Sequence, residues 1–279
     1  MGGKQETPRA TPNLESLPCY ATKDLIHQMA RWHGMIVAIW IPRSARDFSS
    51  KATPISEVGY SAQASEPLTI KAMDPTGIFS GNERKEKEQE MRRAGRLPPG
   101  QSLTLKWPVL HYGSVPKFDP ATWNFRVWGL VDAPITLSWD AFNRLPKIET
   151  RSDFHCVTRW SRFDNKWQGV GFMEVLKLAK PKPAAKYVLV HAEQGFTANV
   201  PLADLDRDDV LFATHHDGQP LSPDHGFPLH LIVPHLYGWK SVKWVRGLEF
   251  LERDVAGFWE QNGYHMYGDP FREQRFDTD

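Results

Sequence analysis

Residues 224–245 read DHGFPLHLIVPHLYGWKSVKWV, and their pattern predicts a turn, a strand, a second turn and a second strand. Asp-His-Gly at 224–226 is a turn signal, and the apolar run at 229–233 is typical of a short buried strand. The next strand is predicted over residues 241–251. Its side chains alternate between two faces, so that Ser241 and Lys243 share one face. The polar side chains of this unit that can bind a ligand are His225, Lys240, Ser241 and Lys243.

The composition of the chain is that of an ordinary folded protein. Of 279 residues, 41% are hydrophobic and 24% are charged. The net charge is +1, from 34 basic and 33 acidic side chains, which argues against a dedicated nucleic-acid-binding protein. The longest apolar run, residues 35–41, is too short to cross a membrane. Two cysteines cannot build a disulfide framework, and we expect a cytoplasmic location.

The chain divides into three parts by composition. Residues 1–72 are rich in polar residues and proline, which predicts a poorly ordered N-terminal extension, and Met73 is a candidate for the native start. Residues 73–106 are predicted to form a charged helix at 83–96 and a linker. In residues 107–279 predicted strands outnumber helices, and nine of the 11 tryptophans lie after residue 100. This part is predicted to be a β-rich α+β domain.

Residues 155–162, HCVTRWSR, match H-C-x5-R, the spacing of cysteine-dependent phosphatases. In such an enzyme a thiolate attacks phosphorus while the arginine holds the phosphate oxygens. The five residues between Cys156 and Arg162 contain no glycine, although a backbone that curves around a phosphate usually needs it. The composition of this segment therefore disfavours a phosphatase, which stays open as an alternative.

Cys156 is also a candidate metal ligand, because a thiolate suits soft metals. A structural zinc site needs four ligands, and the histidines between 215 and 235 follow no zinc-binding spacing. A metal that arrives with its own organic ligand needs only one thiolate from the protein. A buried, inert cysteine is the remaining alternative.

Four blocks of sequence, in the same order, resemble the molybdopterin-binding domain of the sulfite oxidase family. The resemblance extends from about residue 107 to about residue 251 and is looser outside this range. The blocks are residues 110–116 (LHYGSVP), 123–138, 154–156 (FHC) with 167–170 (WQGV), and 224–234 with 238–245.

The resemblance implies the β-rich α+β fold of that family, with mixed sheets and short helices, and a molybdenum–molybdopterin (Mo-MPT) cofactor. It makes Cys156 the metal ligand and a catalytic residue, together with Arg159 and Arg162. The side chains expected to bind the cofactor are His111, Tyr112, His155, Cys156, His225, His230, Lys240, Ser241 and Lys243.

The chain departs from the family pattern at three places. His230 stands where the family usually has arginine, which exchanges a permanent charge for a group that titrates near pH 6.5. Arg159 and Arg162 follow the cysteine in a different register. Phe196 occupies the region of the family's active-site tyrosine. These departures leave the substrate open.

The resemblance further implies a small oxyanion, S-oxide or N-oxide as substrate and an external redox partner. The partner would be a cytochrome, a quinone-linked protein or a flavoprotein, because the chain has neither a Cys-x-x-Cys-His haem attachment nor a cytochrome b5 signature. The aromatic segment 259–271 is expected to pack on the domain. The competing hypothesis is a degenerate module that binds the cofactor without catalysis.

Overall fold

The computed structural model describes residues 81–279, all of which belong to the compact unit Lys71–Asp279. The predictions of a poorly ordered extension over residues 1–72 and of a start at Met73 fall outside the described residues. Cys19 falls outside them too.

Short helices and two β-sheets alternate along the described chain. The helices are α1 (Gly81–Arg93), α2 (Trp139–Asn143), α3 (Phe172–Ala179), α4 (Leu202–Leu205) and α5 (Phe258–Gln261), with single 3-10 turns at Glu193–Gly195 and Pro223–His225. The strands are β1 (Ser102–Leu103), β2 (Asn124–Gly129), β3 (Ile135–Ser138), β4 (Lys147–Cys156), β5 (Trp160–Gly171), β6 (Tyr187–Ala192), β7 (Thr197–Pro201), β8 (Leu211–His216), β9 (Gln219–Pro220), β10 (His230–Ile232) and β11 (Val245–Leu251).

Both sheets mix parallel and antiparallel pairs. In the first, β5 pairs with β4 and β8 in antiparallel fashion and with β1 in parallel, and β8 also pairs with β9 and β10. The second has the order β3-β2-β11-β6-β7, with β2 and β11 parallel. The predicted β-rich α+β class with mixed sheets and short helices is confirmed.

Local sequence patterns explain the main core elements. Alternation over residues 123–127 buries Trp123, just before β2, and Phe125 and Val127 within it, as predicted. The Ser138 hydroxyl accepts a hydrogen bond from the Ala141 amide at 3.3 Å and so caps α2. Helix α3 buries one apolar face and ends where Lys180 takes a left-handed conformation.

The segment before residue 107 belongs to the domain rather than to a linker. The predicted charged helix is present as α1, and Met91 and Leu97 are buried. Strand β1 then pairs with β5, and the Leu103 amide donates to Glu88 Oε1 at 2.9 Å. Most residues of this segment are charged, and only Met91 and Leu97 make buried apolar contacts. For this reason its composition alone indicated a solvated linker.

Candidate active site around Cys156

Cys156 is the last residue of β4 and lies at a tight hairpin turn into β5. It pairs with Trp160 across the turn, and its carbonyl accepts a hydrogen bond from the Arg159 amide at 3.0 Å. Arg159 adopts the left-handed φ of 70° that closes the turn. The residues after Cys156 therefore form a β-hairpin. They do not form the phosphate-binding loop that a phosphatase with the H-C-x5-R motif requires.

Two long-range hydrogen bonds hold the backbone at the end of β4. The Gln101 side-chain amide donates to the Cys156 carbonyl at 3.1 Å, and the Gly238 amide donates to the His155 carbonyl at 2.8 Å. Gly238 can approach so closely because it has no side chain; a Cβ there would lie 2.6 Å from the Phe154 ring. The backbone that carries the Cys156 thiol is therefore held in place.

The Cys156 thiol is buried, and burial raises its pKa. The Thr158 hydroxyl, 3.1 Å from Sγ, and the positive charge of Lys243 act in the opposite direction. The site thus contains the groups needed to stabilise a thiolate once the proton is lost.

Lys243 lies at the centre of the predicted cluster. Its ammonium group donates to the carbonyls of Asp224 at 2.7 Å and Leu110 at 2.9 Å. Burial lowers the pKa of Lys243 to about 8, while the nearby charges of Asp224 and Cys156 oppose this shift. An ammonium has three donors, so one N–H remains for a ligand.

His111 and His225 each directly follow one of the two residues whose carbonyls bind Lys243. His225 stacks on Trp107 at 4.0 Å, with Nε2 at 3.1 Å from the Trp107 carbonyl oxygen. His111 contacts the Trp244 ring at 5.1 Å. The charges of Lys243 and His111 both contribute to lowering the pKa of His225, although burial is the main cause. The loop that contains Trp107 and His111 is therefore closed against the 224–245 unit.

His230 is buried, and its two ring nitrogens face the carbonyls of His225 at 2.9 Å and Ser241 at 3.1 Å. Burial lowers the pKa of His230 to about 3, so the ring is neutral and donates to one of these carbonyls. The Ser241 hydroxyl accepts from the Val233 amide at 2.9 Å. Both side chains thus hold the strand next to Lys243, and neither presents a charge to a ligand.

Lys240, which was predicted to contact the cofactor, binds other parts of the protein instead. It is fully buried, and its ammonium group bonds Glu260 Oε1 at 2.6 Å, Asn199 at 2.7 and 2.8 Å, and the Met266 carbonyl at 2.7 Å. These acceptors use all its donors. Its role is to attach the C-terminal segment to β7.

Within residues 81–279, the side chains of the two predicted catalytic arginines form no hydrogen bond with Cys156 or Lys243. Arg162 pairs with Phe154 in the hairpin, and its guanidinium bonds Asp217 at 2.5 Å and His216 at 3.0 Å. Arg159 is exposed on the turn, beside Gly100. Arg162 thus links β5 to the end of β8, and its catalytic role stays a prediction.

His155 and Tyr112 also have protein contacts of their own. His155 Nδ1 lies 2.8 Å from the Ser161 hydroxyl, and its ring packs at 5.7 Å from Phe271. Tyr112 is 43% exposed and contacts Phe258 at 4.5 Å. Within residues 81–279, neither side chain forms a hydrogen bond or a ring contact with Cys156 or Lys243. Lys243 is within electrostatic range of both Cys156 and His225.

One residue of this region was missed by the sequence analysis. Tyr264, in the C-terminal aromatic segment, is near enough to Cys156 for the thiolate charge to help raise its pKa to about 12, burial being the larger cause. Phe196 contacts Phe258, a neighbour of Trp259, which stacks on Tyr264. The abundance of aromatic residues at 258–267 was the available signal.

The buried histidines predict a loss of stability in acid. Burial lowers the pKa of His216 to about 4 and that of His230 to about 3, so the folded protein binds fewer protons than the unfolded chain below pH 6.5. The free energy of unfolding should then fall as pH drops from 6.5 to 4.5, by about 1.4 kcal/mol per pH unit for each histidine. Urea unfolding at a series of pH values measures this slope.

The matched variant for this experiment is His216→Asn, which removes the titration of the histidine beside Arg162 and Asp217. Its slope should be smaller by about 1.4 kcal/mol per pH unit. Equal slopes in the variant and the parent protein would show that His216 titrates normally in the fold.

Within residues 81–279, no three His, Cys, Asp or Glu side chains are grouped as ligands of one metal ion. Over the same residues, no helix has the length and apolar character needed to cross a membrane.

The chain matches a known protein family and several of its members. Residues 112–259 match the oxidoreductase molybdopterin binding domain. The chain is 49% identical over 194 residues to the uncharacterized oxidoreductase YuiH of Bacillus subtilis, covering 69% of this chain and 98% of that protein. It is 27% identical to the protein-methionine-sulfoxide reductase catalytic subunit MsrP of Campylobacter jejuni, covering 54% of this chain and 56% of the relative.

A solved structure, the sulfane dehydrogenase SoxCD of Paracoccus pantotrophus, is 21% identical and has a TM-score of 0.49 over 55% of this chain and 43% of that one. The family match spans the hairpin of Cys156 and the whole 224–245 unit, and the Bacillus relative is matched over nearly its full length. The chain therefore belongs to the oxidoreductases with a molybdopterin-binding domain, which confirms the family predicted from its sequence.

Proposed function

We propose that this oxidoreductase uses a molybdenum–molybdopterin cofactor, ligated by Cys156, to transfer an oxygen atom to or from sulfite, a sulfoxide or an N-oxide. The observation that carries the proposal is the buried Cys156 thiol, which lies within the electrostatic range of Lys243, a lysine that keeps one donor free. The thiolate suits a metal that brings its own organic ligand, and the lysine suits an anionic group on that ligand.

The residues present fit such a cofactor. Molybdopterin carries a phosphate and a polar ring system, which require a cation and directed hydrogen bonds. Lys243 supplies the cation, and His111 and His225 lie beside it in the closed loop region. Cys156 supplies a soft thiolate donor. When bound, the cofactor would supply two-electron oxygen-atom transfer.

The protein groups would hold the site in a defined charge state. Thr158 can donate its hydroxyl proton to Cys156 Sγ across 3.1 Å, which favours the thiolate over the thiol. The carbonyls of Leu110 and Asp224 fix the Lys243 ammonium, so its remaining donor has one preferred direction. Gln101 and Gly238 keep the end of β4 in place. Binding would therefore require little rearrangement of these residues.

The relative MsrP is named as a methionine-sulfoxide reductase, which supports a sulfoxide among the substrates to be tested. The electrons would pass to or from an external redox partner, and small cytochromes, quinone-linked proteins and flavoproteins are the classes to test. The cytoplasmic location remains a prediction from sequence.

Metal analysis of the full chain, produced in a host that makes molybdopterin, tests the proposal. We expect a near-stoichiometric molybdenum content, and turnover of sulfite, a sulfoxide or an N-oxide with an artificial electron carrier. Protein that contains no molybdenum, or that contains it but turns over none of the three substrate classes, would contradict the proposal; the second result would favour the non-catalytic module.

A further inference from the structure

The turn that follows Cys156 places a hydroxyl group against its sulfur. Cys156 pairs with Trp160, so residues 157–159 form the loop of the β4–β5 hairpin. The Arg159 amide bonds the Cys156 carbonyl and Arg159 is left-handed, which is a common way to close a loop of three residues. Thr158 is the middle residue of the loop, and its Oγ1 lies 3.1 Å from Cys156 Sγ.

Backbone amides of the same loop also act on the sulfur. Burial raises the pKa of the Cys156 thiol, whereas hydrogen bonds from the Thr158 hydroxyl and from the amides of Thr158 and Val157 oppose this rise. Aspartate and asparagine side chains in tight turns accept hydrogen bonds from the amide two residues later in the same way. The turn after Cys156 therefore suits an anion that belongs to the chain itself, the thiolate sulfur, and not a phosphate.

The Thr158 hydroxyl is committed to this contact. Within residues 81–279 it makes no hydrogen bond to any group other than the Cys156 sulfur. When the sulfur is a thiolate, the hydroxyl must be the donor, because the thiolate has no proton. Thr158 is exposed on the turn, so its replacement should leave the stability of the fold nearly unchanged.

A hydrogen bond to a metal-ligating sulfur changes the reduction potential of the metal. Reduction increases the negative charge on the metal and its ligands, and a donor binds a more negative sulfur more strongly. The donor therefore stabilises the reduced metal more than the oxidised metal, and the potential rises.

We infer that Thr158 is a positioning residue that raises the reduction potential of the molybdenum through its hydrogen bond to the Cys156 sulfur. This inference rests on the proposed function, in which Cys156 ligates the metal. A higher potential makes the metal a better electron acceptor. Thr158 acts on the metal through the ligand and needs no contact with the substrate.

The test compares Thr158→Val with Thr158→Ser in the molybdenum-containing protein. Valine keeps the shape of threonine without the hydroxyl, whereas serine keeps the hydroxyl. A redox titration, followed by the electron paramagnetic resonance signal of the one-electron-reduced molybdenum, measures the potential. We expect Thr158→Val to make reduction about three- to tenfold less favourable, a potential lower by about 30–60 mV for one electron, and Thr158→Ser to keep the parent value.

Thr150→Val is the matched control for this titration. The Thr150 hydroxyl belongs to the same strand as Cys156, but it is buried and makes no hydrogen bond within residues 81–279, so the potential should not change. A parent potential in Thr158→Val, or an equal shift in Thr158→Val and Thr158→Ser, would overturn the inference. If the parent protein contains molybdenum and is active, either result leaves the proposed function standing. A parent protein without molybdenum refutes both.

Discussion

Replacement of Cys156 by serine is expected to remove molybdenum and turnover together. Serine offers a hard hydroxyl that stays protonated at neutral pH, whereas the proposed metal requires a soft thiolate. Because loss of a residue that merely supports a metal ligand costs about 10–100-fold, loss of the ligand itself should cost at least about 100-fold in activity. Elemental analysis and steady-state assays measure the two effects.

Arg162→Gln is the matched control for this experiment. Arg162 belongs to the cluster with His216 and Asp217, so its replacement should lower stability while molybdenum remains bound. A phosphatase that used H-C-x5-R would instead lose its activity equally in both variants. Retention of molybdenum and full turnover by Cys156→Ser, with a circular dichroism spectrum like that of the parent, would show that the thiol is not the ligand.

Replacement of Lys240 by methionine is expected to cause the largest loss of stability, about 3–5 kcal/mol. The variant leaves the Glu260 carboxylate buried without its cation and leaves Asn199 and the Met266 carbonyl without a donor. Burial also lowers the pKa of Lys240, the direction expected for a charge removed from water. Urea unfolding measures the loss as a lower midpoint at an unchanged slope.

Two further variants test whether the loss of stability comes from breaking the buried Lys240–Glu260 pair or from replacing a lysine by methionine in general. Lys240→Met combined with Glu260→Gln should recover part of the loss, because no unpaired charge remains while the Trp239 indole keeps an acceptor. Lys177→Met removes an exposed ion pair with Glu174 and should cost less than about 1 kcal/mol. A Lys240→Met variant as stable as Lys177→Met would contradict the structural role.

The local elements of the domain were predictable because their causes lie within a few residues. Alternation in residues 123–127 specifies which face of β2 is buried, and Ser138 caps the helix that follows it. The charged helix α1 was also expected. Its attachment to the domain was not, because the pairing of β1 with β5 joins segments about sixty residues apart in sequence.

His230 shows how far the sequence alone can describe a site residue. Sequence identifies His230 as a group that titrates near neutral pH, and therefore as a candidate pH-dependent contact. Complete burial between the carbonyls of His225 and Ser241 lowers its pKa to about 3, so it is neutral throughout the physiological range. Its charge state follows from solvent exclusion, which the sequence does not report.

The sequence by itself determined the family, the β-rich class and the candidate thiol, because these depend on strand periodicity, turn residues and the order of four motifs. Only the tertiary structure separated Lys240 from Lys243, three residues apart in one predicted unit. Lys240 meets Glu260 and Met266 from the C-terminal segment, whereas Lys243 meets Leu110 and Asp224 beside Cys156. The physical reason is that each ammonium takes its acceptors from segments distant in sequence, and the packing of the two sheets and the C-terminal segment decides which acceptors come within reach.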